Sequence, residues 1–82
     1  MERFVTVKAK DGLHARPAAM FVKTASDCGI PVMIAAEGRG SAPANSILAV
    51  MSLGVRCGDQ VTLSSESVDA LDALEKVLST VE

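Results

Sequence analysis

Residues 4–9 alternate apolar and polar side chains, with Val5, Val7 and Ala9 on one face. A period of two predicts a strand, and Asp11-Gly12 ends it with turn chemistry. The period then changes. Ala18, Phe21, Val22 and Ala25 recur at helical spacing and form a core stripe. Pro17 suits the first turn of that helix, where a missing N–H costs nothing, and Gly29 is placed to end it. Alternation returns over residues 30–36, with Ile30, Val32, Ile34 and Ala36 inward and Pro31 near the strand's start. Residues 37–44 hold two Gly and one Pro, which predicts a turn and at most a short strand over 39–42. Asn45-Ser46 then caps a brief helix over 47–53, closed by Gly54. Gly58-Asp59 marks a turn before a strand over 60–64, with Val61 and Leu63 inward. Ser67 caps a last helix with a stripe of Val68, Leu71, Leu74, Leu78 and Val81.

The predicted order is βαββαβα, an α+β arrangement with helices on one face of a small mixed or antiparallel sheet. Eighty-two residues make one domain, 1–82. Such a chain has a thin core and little room for a deep pocket, which argues for a module whose business is at its surface. Apolar residues are 49% of the chain, but only two Phe and no Trp or Tyr are aromatic. The core is therefore expected to be aliphatic, and no stacking platform exists for single-stranded nucleic acid. The net charge of −2 does not suit a general nucleic-acid binder either. Its distribution is uneven: residues 1–26 carry five basic and two acidic side chains, residues 27–82 three and eight. A basic front could steer acidic partners or phosphate, although an uneven solvated surface looks the same.

Cys28 and Cys57 are far apart, with no CxxC and a single His, so a metal site would lack ligands. They are read as free thiols in a reducing cytoplasm. No stretch is long and apolar enough for a membrane span, and the N-terminus lacks the apolar core of a signal peptide.

The informative residues are His14-Ala15-Arg16-Pro17. A helix start carries roughly half a positive charge and several unpaired N–H groups, which favour anions. His14 there would keep a neutral, nucleophilic nitrogen. A phosphoryl group on that nitrogen would meet the N–H groups of Ala15 and Arg16, and the Arg16 guanidinium would pair with its oxygens. Taken alone, the residues leave open an ordinary cap histidine beside a solvated first-turn arginine. Met20 lies off its helix's core stripe, as exposed contact or as filler. The helix over 47–53 is apolar nearly all round. With Val50 and Leu53 assigned to the core, Ile47, Leu48 and Met51 are left as an exposed docking patch, unless the fold buries them. Ser46 is first of all an N-cap; a phosphate there would suit the helix dipole and place charge beside the patch.

Gly12-Leu13-His14-Ala15-Arg16-Pro17-Ala18, followed by Ser46-Ile47-Leu48-Ala49-Val50-Met51-Ser52-Leu53-Gly54, resembles the HPr family of bacterial phosphocarriers. These act in the phosphoenolpyruvate:sugar phosphotransferase system. The resemblance covers essentially the whole chain. It implies an open-faced β-sandwich, a four-stranded antiparallel sheet with three helices packed on one face. It implies phosphorylation of His14 on Nδ1 with Arg16 beside it, Enzyme I as donor and the IIA proteins or domains of sugar permeases as acceptors. Ile47, Leu48 and Met51 match docking positions. Ser46 matches the serine that HPr kinase modifies in some bacteria, lowering carrier activity and recruiting a transcriptional regulator. No cofactor, metal, nucleic acid or membrane is implied, and the expected state is a cytoplasmic monomer. Three departures bear on these expectations. Asp11 stands where many members have Ser or Asn, Asn45 where Lys is common, and the 37–45 segment looks longer than the family's by about one residue.

Three readings compete. The first is a non-catalytic intermediate in a phosphoryl relay through His14. The second is a regulatory or nitrogen-branch paralogue acting mainly by protein binding. The third is a stand-alone enzyme with His14 as acid–base; only Asp11 is at hand as an acidic neighbour.

Overall fold

The computed structural model describes every residue except Asp11, His14, Thr80, Val81 and Glu82. Its elements are β1 (Glu2–Thr6), α1 (Ala15–Cys28), β2 (Val32–Ala36), β3 (Gly40–Pro43), α2 (Ile47–Ser52), β4 (Gln60–Ser65) and α3 (Val68–Ser79). This is the expected βαββαβα order. The four strands form one antiparallel sheet in the order β1-β4-β2-β3. β4 therefore lies between the first two strands and completes the sheet. Helices cover one face and leave the other open.

Alternation sorts the two faces. Val5, Val32, Ile34, Ala36, Ala42, Val61 and Leu63 are buried against the helices. Phe4 and Met33 stand on the opposite, exposed face. The helices contribute Ala18, Phe21, Ala25, Val50, Leu71, Leu74 and Leu78 to the core. The core is aliphatic around one fully buried aromatic ring, Phe21. The two caps are as expected: Ser46 Oγ accepts from the Ala49 N–H (3.4 Å) and Ser67 Oγ from the Ala70 N–H (3.2 Å). Gly29 follows α1 with φ +68° and donates its N–H to the Ser26 carbonyl, as a helix-ending glycine should.

Several expectations need correction. β1 ends at Thr6 rather than at residue 9, because beyond it the chain leaves β4. Val7 exchanges hydrogen bonds with Gly58 and Asp59, and the Lys8 and Ala9 amides both donate to the Leu78 carbonyl. Val7 and Ala9 stay buried all the same. β2 begins only at Val32, so Ile30 stands outside the ladder and is exposed. Val68, the first residue of α3, is exposed too, and Ala70 takes the inward place in that turn. Val81, the last residue of the expected stripe, lies outside the described residues.

Candidate functional site

The approach to α1 is fixed by its backbone. Gly12 is buried and has φ +63°, a conformation open to glycine. A Cβ at Gly12 would fall 2.3 Å from the Val55 carbonyl oxygen and 2.6 Å from Arg56 Cα. The Gly12 N–H donates to the Ala9 carbonyl (2.9 Å) and the Leu13 N–H to the Val55 carbonyl (3.0 Å). The Leu13 side chain is fully buried. Gly12 and Leu13 are thus held against the segment that follows α2, one residue before His14 in the chain. His14 itself, and Asp11, lie outside the described residues. α1 begins at Ala15 and has no acidic residue in its first turn, so nothing on that turn opposes an anion. The Arg16 side chain is exposed there.

The apolar candidates are on α1 and α2, which pack on each other. Val50 and Leu53 turn inward, as expected. Leu48 is 78% exposed and Met20 50%, while Ile47 and Met51 are near 39% and 38%. Large apolar side chains left this open on neighbouring helices are an unusual surface for an isolated chain. Ser46 is only half-buried at the start of the same helix.

One residue of the neighbourhood escaped the sequence reading. Arg39, in the turn between β2 and β3, reaches the C-terminal end of α2. Its Nη1 donates to the carbonyls of Gly54 (2.7 Å) and Leu53 (3.3 Å), and its Nη2 pairs with Asp59 Oδ2 (3.1 Å). α2 has no basic residue of its own in its last turn, so Arg39 supplies the cation that a helix C-terminus favours. Asp59 Oδ2 also accepts from the Arg56 N–H (3.0 Å). That bond first, and the Arg39 guanidinium second, hold the Asp59 carboxyl below the usual carboxylate range. The only sequence signal was an arginine between two glycines in a turn.

Cys28 and Cys57 are free thiols. Among the described residues no group of His, Cys, Asp and Glu could hold a metal ion, and no helix is long and apolar enough to cross a membrane.

Comparison with known proteins agrees with this architecture. The family model for the phosphorylation site of the phosphotransferase-system HPr component matches residues 1–82. The phosphocarrier protein HPr of Haloferax volcanii is 50% identical over 100% of this chain and 97% of its own length. The HPr-like protein Crh of Bacillus subtilis is 39% identical over 100% of this chain and 95% of its own. Among solved structures, HPr-C-His from Thermoanaerobacter tengcongensis superposes with a TM-score of 0.86 at 41% identity, covering 95% of this chain and 90% of that one. With the family model matched over the whole chain and the open-faced βαββαβα sandwich shared with a solved HPr structure, the chain belongs to the HPr family of the phosphotransferase system.

Proposed function

We propose that this chain accepts a phosphoryl group on Nδ1 of His14 from phosphorylated Enzyme I and passes it to IIA proteins or domains of sugar permeases. The observation that supports this reading is that α1 begins at Ala15, directly after His14 in the sequence, and follows the buried Gly12-Leu13 anchor. In the receiving step the imidazole nitrogen attacks phosphorus as the bond to the donor's histidine breaks. The second step runs the same displacement in reverse order, with His14 as the leaving group. The Ala15 and Arg16 N–H groups face an anion at the helix start, and the Arg16 guanidinium offsets its charge. No proton acceptor or metal on this chain is required, because a neutral imidazole attacks and a neutral imidazole departs.

Met20, Ile47, Leu48 and Met51 form the docking surface for donor and acceptor alike in this reading. Ser46 is a regulatory position, where phosphorylation by HPr kinase would set negative charge beside that surface and present it to a transcriptional regulator. The carrier works in the cytoplasm as a monomer. The likeness to an HPr-like protein supports a second reading, a regulatory or nitrogen-branch paralogue of this fold that acts mainly by protein binding.

One experiment separates the two. Incubation with phosphoenolpyruvate, Mg²⁺ and Enzyme I, followed by intact mass, is expected to show one acid-labile, alkali-stable phosphate. The His14→Ala variant should fold and take none. A folded wild-type chain that gains no phosphate from active Enzyme I would move the assignment to the regulatory module or to a carrier with a different donor.

A further inference from the structure

The segment after α2 is held from two sides. On one side it accepts the Leu13 N–H at the Val55 carbonyl and packs on Gly12 so closely that no side chain fits between them. On the other side Arg39 bridges its two ends, binding the Leu53 and Gly54 carbonyls with Nη1 and Asp59 with Nη2. Val55, Arg56, Cys57 and Gly58 lie between those grips. Asp59 in turn fastens the Arg56 N–H. The Arg39 fork therefore spans a loop whose first residue, Val55, carries the backbone acceptor that holds Leu13.

We infer that Arg39 is a positioning residue for phosphoryl transfer, clamping the 54–59 loop so that Leu13, which precedes His14 in the chain, is held at the approach to α1. The inference rests on the carrier reading. Arg39 touches no reacting atom; it acts through the loop and the Leu13 amide. A guanidinium suits this task because its two nitrogens reach different partners from one planar group. A lysine has a single ammonium and cannot hold both the helix end and the carboxylate in the same fixed geometry. Such a contact matters more for rate than for stability. Exposed ion pairs contribute little to folding, whereas a small misplacement of a reacting group costs up to about 100-fold in rate.

The test compares the wild-type chain with Arg39→Met and Arg39→Lys. Two quantities are read: the steady-state kinetics of phosphorylation by Enzyme I, and the native-state hydrogen exchange of the Leu13 amide. Arg39→Met is expected to lower kcat roughly tenfold with KM nearly unchanged, and to speed Leu13 exchange while amides of the β1–β4 ladder stay protected. Arg39→Lys should recover only part of both. Unchanged kcat would overturn the proposal. So would a rise in KM alone, which would place Arg39 on the docking surface. A slower transfer with Leu13 exchange unaltered would also overturn it, because the route through the loop would be absent. A wild-type chain that takes no phosphate would remove the carrier reading itself, and the proposal with it; that outcome is recognised before any variant is compared.

Discussion

The Leu13 amide donates to the Val55 carbonyl at 3.0 Å, and that same oxygen would lie 2.3 Å from any Cβ placed on Gly12. The bond and the close approach are two sides of one contact. Gly12→Ala should therefore break the seating of Leu13 as well as strain the backbone at φ +63°. We expect a loss of about 1–3 kcal/mol in urea unfolding and a phosphorylation rate reduced beyond what the unfolded fraction explains. Wild-type kinetics in the alanine variant would show that the turn serves folding alone.

Arg16 is exposed at the first turn of α1, so its removal leaves packing intact. Arg16→Ala should leave the melting temperature within error of wild type and slow transfer by roughly 10- to 100-fold, the worth of one charge-assisted hydrogen bond. Stopped transfer kinetics at matched folded fraction would check this. Equal rates would leave Arg16 a bystander.

Ser46 caps α2 through its hydroxyl, and aspartate is an equally good cap. Ser46→Asp thus alters charge without removing the cap. We expect unchanged stability and roughly tenfold weaker binding of Enzyme I, about 1.4 kcal/mol by calorimetric titration. Leu48→Ala, at the most exposed apolar side chain of α2, should weaken the same binding with equally small effect on unfolding. Full affinity in both variants would remove α2 from the docking surface.

Asp59 gives a pH dependence. The Arg56 N–H and then the Arg39 guanidinium favour its ionised form in the folded chain, while in the unfolded chain the group titrates near about 3.9. The folded value is the lower one. Its stabilisation is therefore complete above the unfolded value and is lost as pH falls through the folded value. The stability gap between wild type and Asp59→Asn should be flat over roughly pH 5 to 8 and should close below about pH 4. A gap that persists unchanged in strong acid would mean that ionisation of Asp59 is irrelevant.

The elements were legible wherever structure is local. The serine caps of α2 and α3 work within three residues, and the inward places of Val61, Leu63, Val50 and Leu53 follow from short-range period alone. Errors fell where period outruns pairing. Alternation continues back to Ile30, but a strand starts only where a partner is available, and the β2–β4 ladder ends at Val32 opposite Ser65. Val68 fits the stripe of α3 yet sits in its opening turn, where the neighbouring Ala70 reaches the core first. Of the site, the His14-Ala15-Arg16-Pro17 motif and the apolar face of α2 could be read directly. Arg39 could not. Its carbonyl partners lie 14 and 15 residues away, and only the folding of β3 back along β2 brings it to the end of α2.

The sheet order has a consequence for how the protein is made. β1 pairs with β4 alone, from Glu2 opposite Ser64 to Thr6 opposite Gln60, and beyond it the Lys8 and Ala9 amides are satisfied by Leu78 in α3. A chain emerging from the ribosome amino-terminus first thus holds β1 unpaired until residues 60–64 have been synthesised. Contacts so distant in sequence close slowly, and an open strand is a hazard while it waits. Premature termination anywhere before residue 60 leaves that strand with no partner, so an amino-terminal fragment is a substrate for chaperones and proteases rather than a smaller folded carrier.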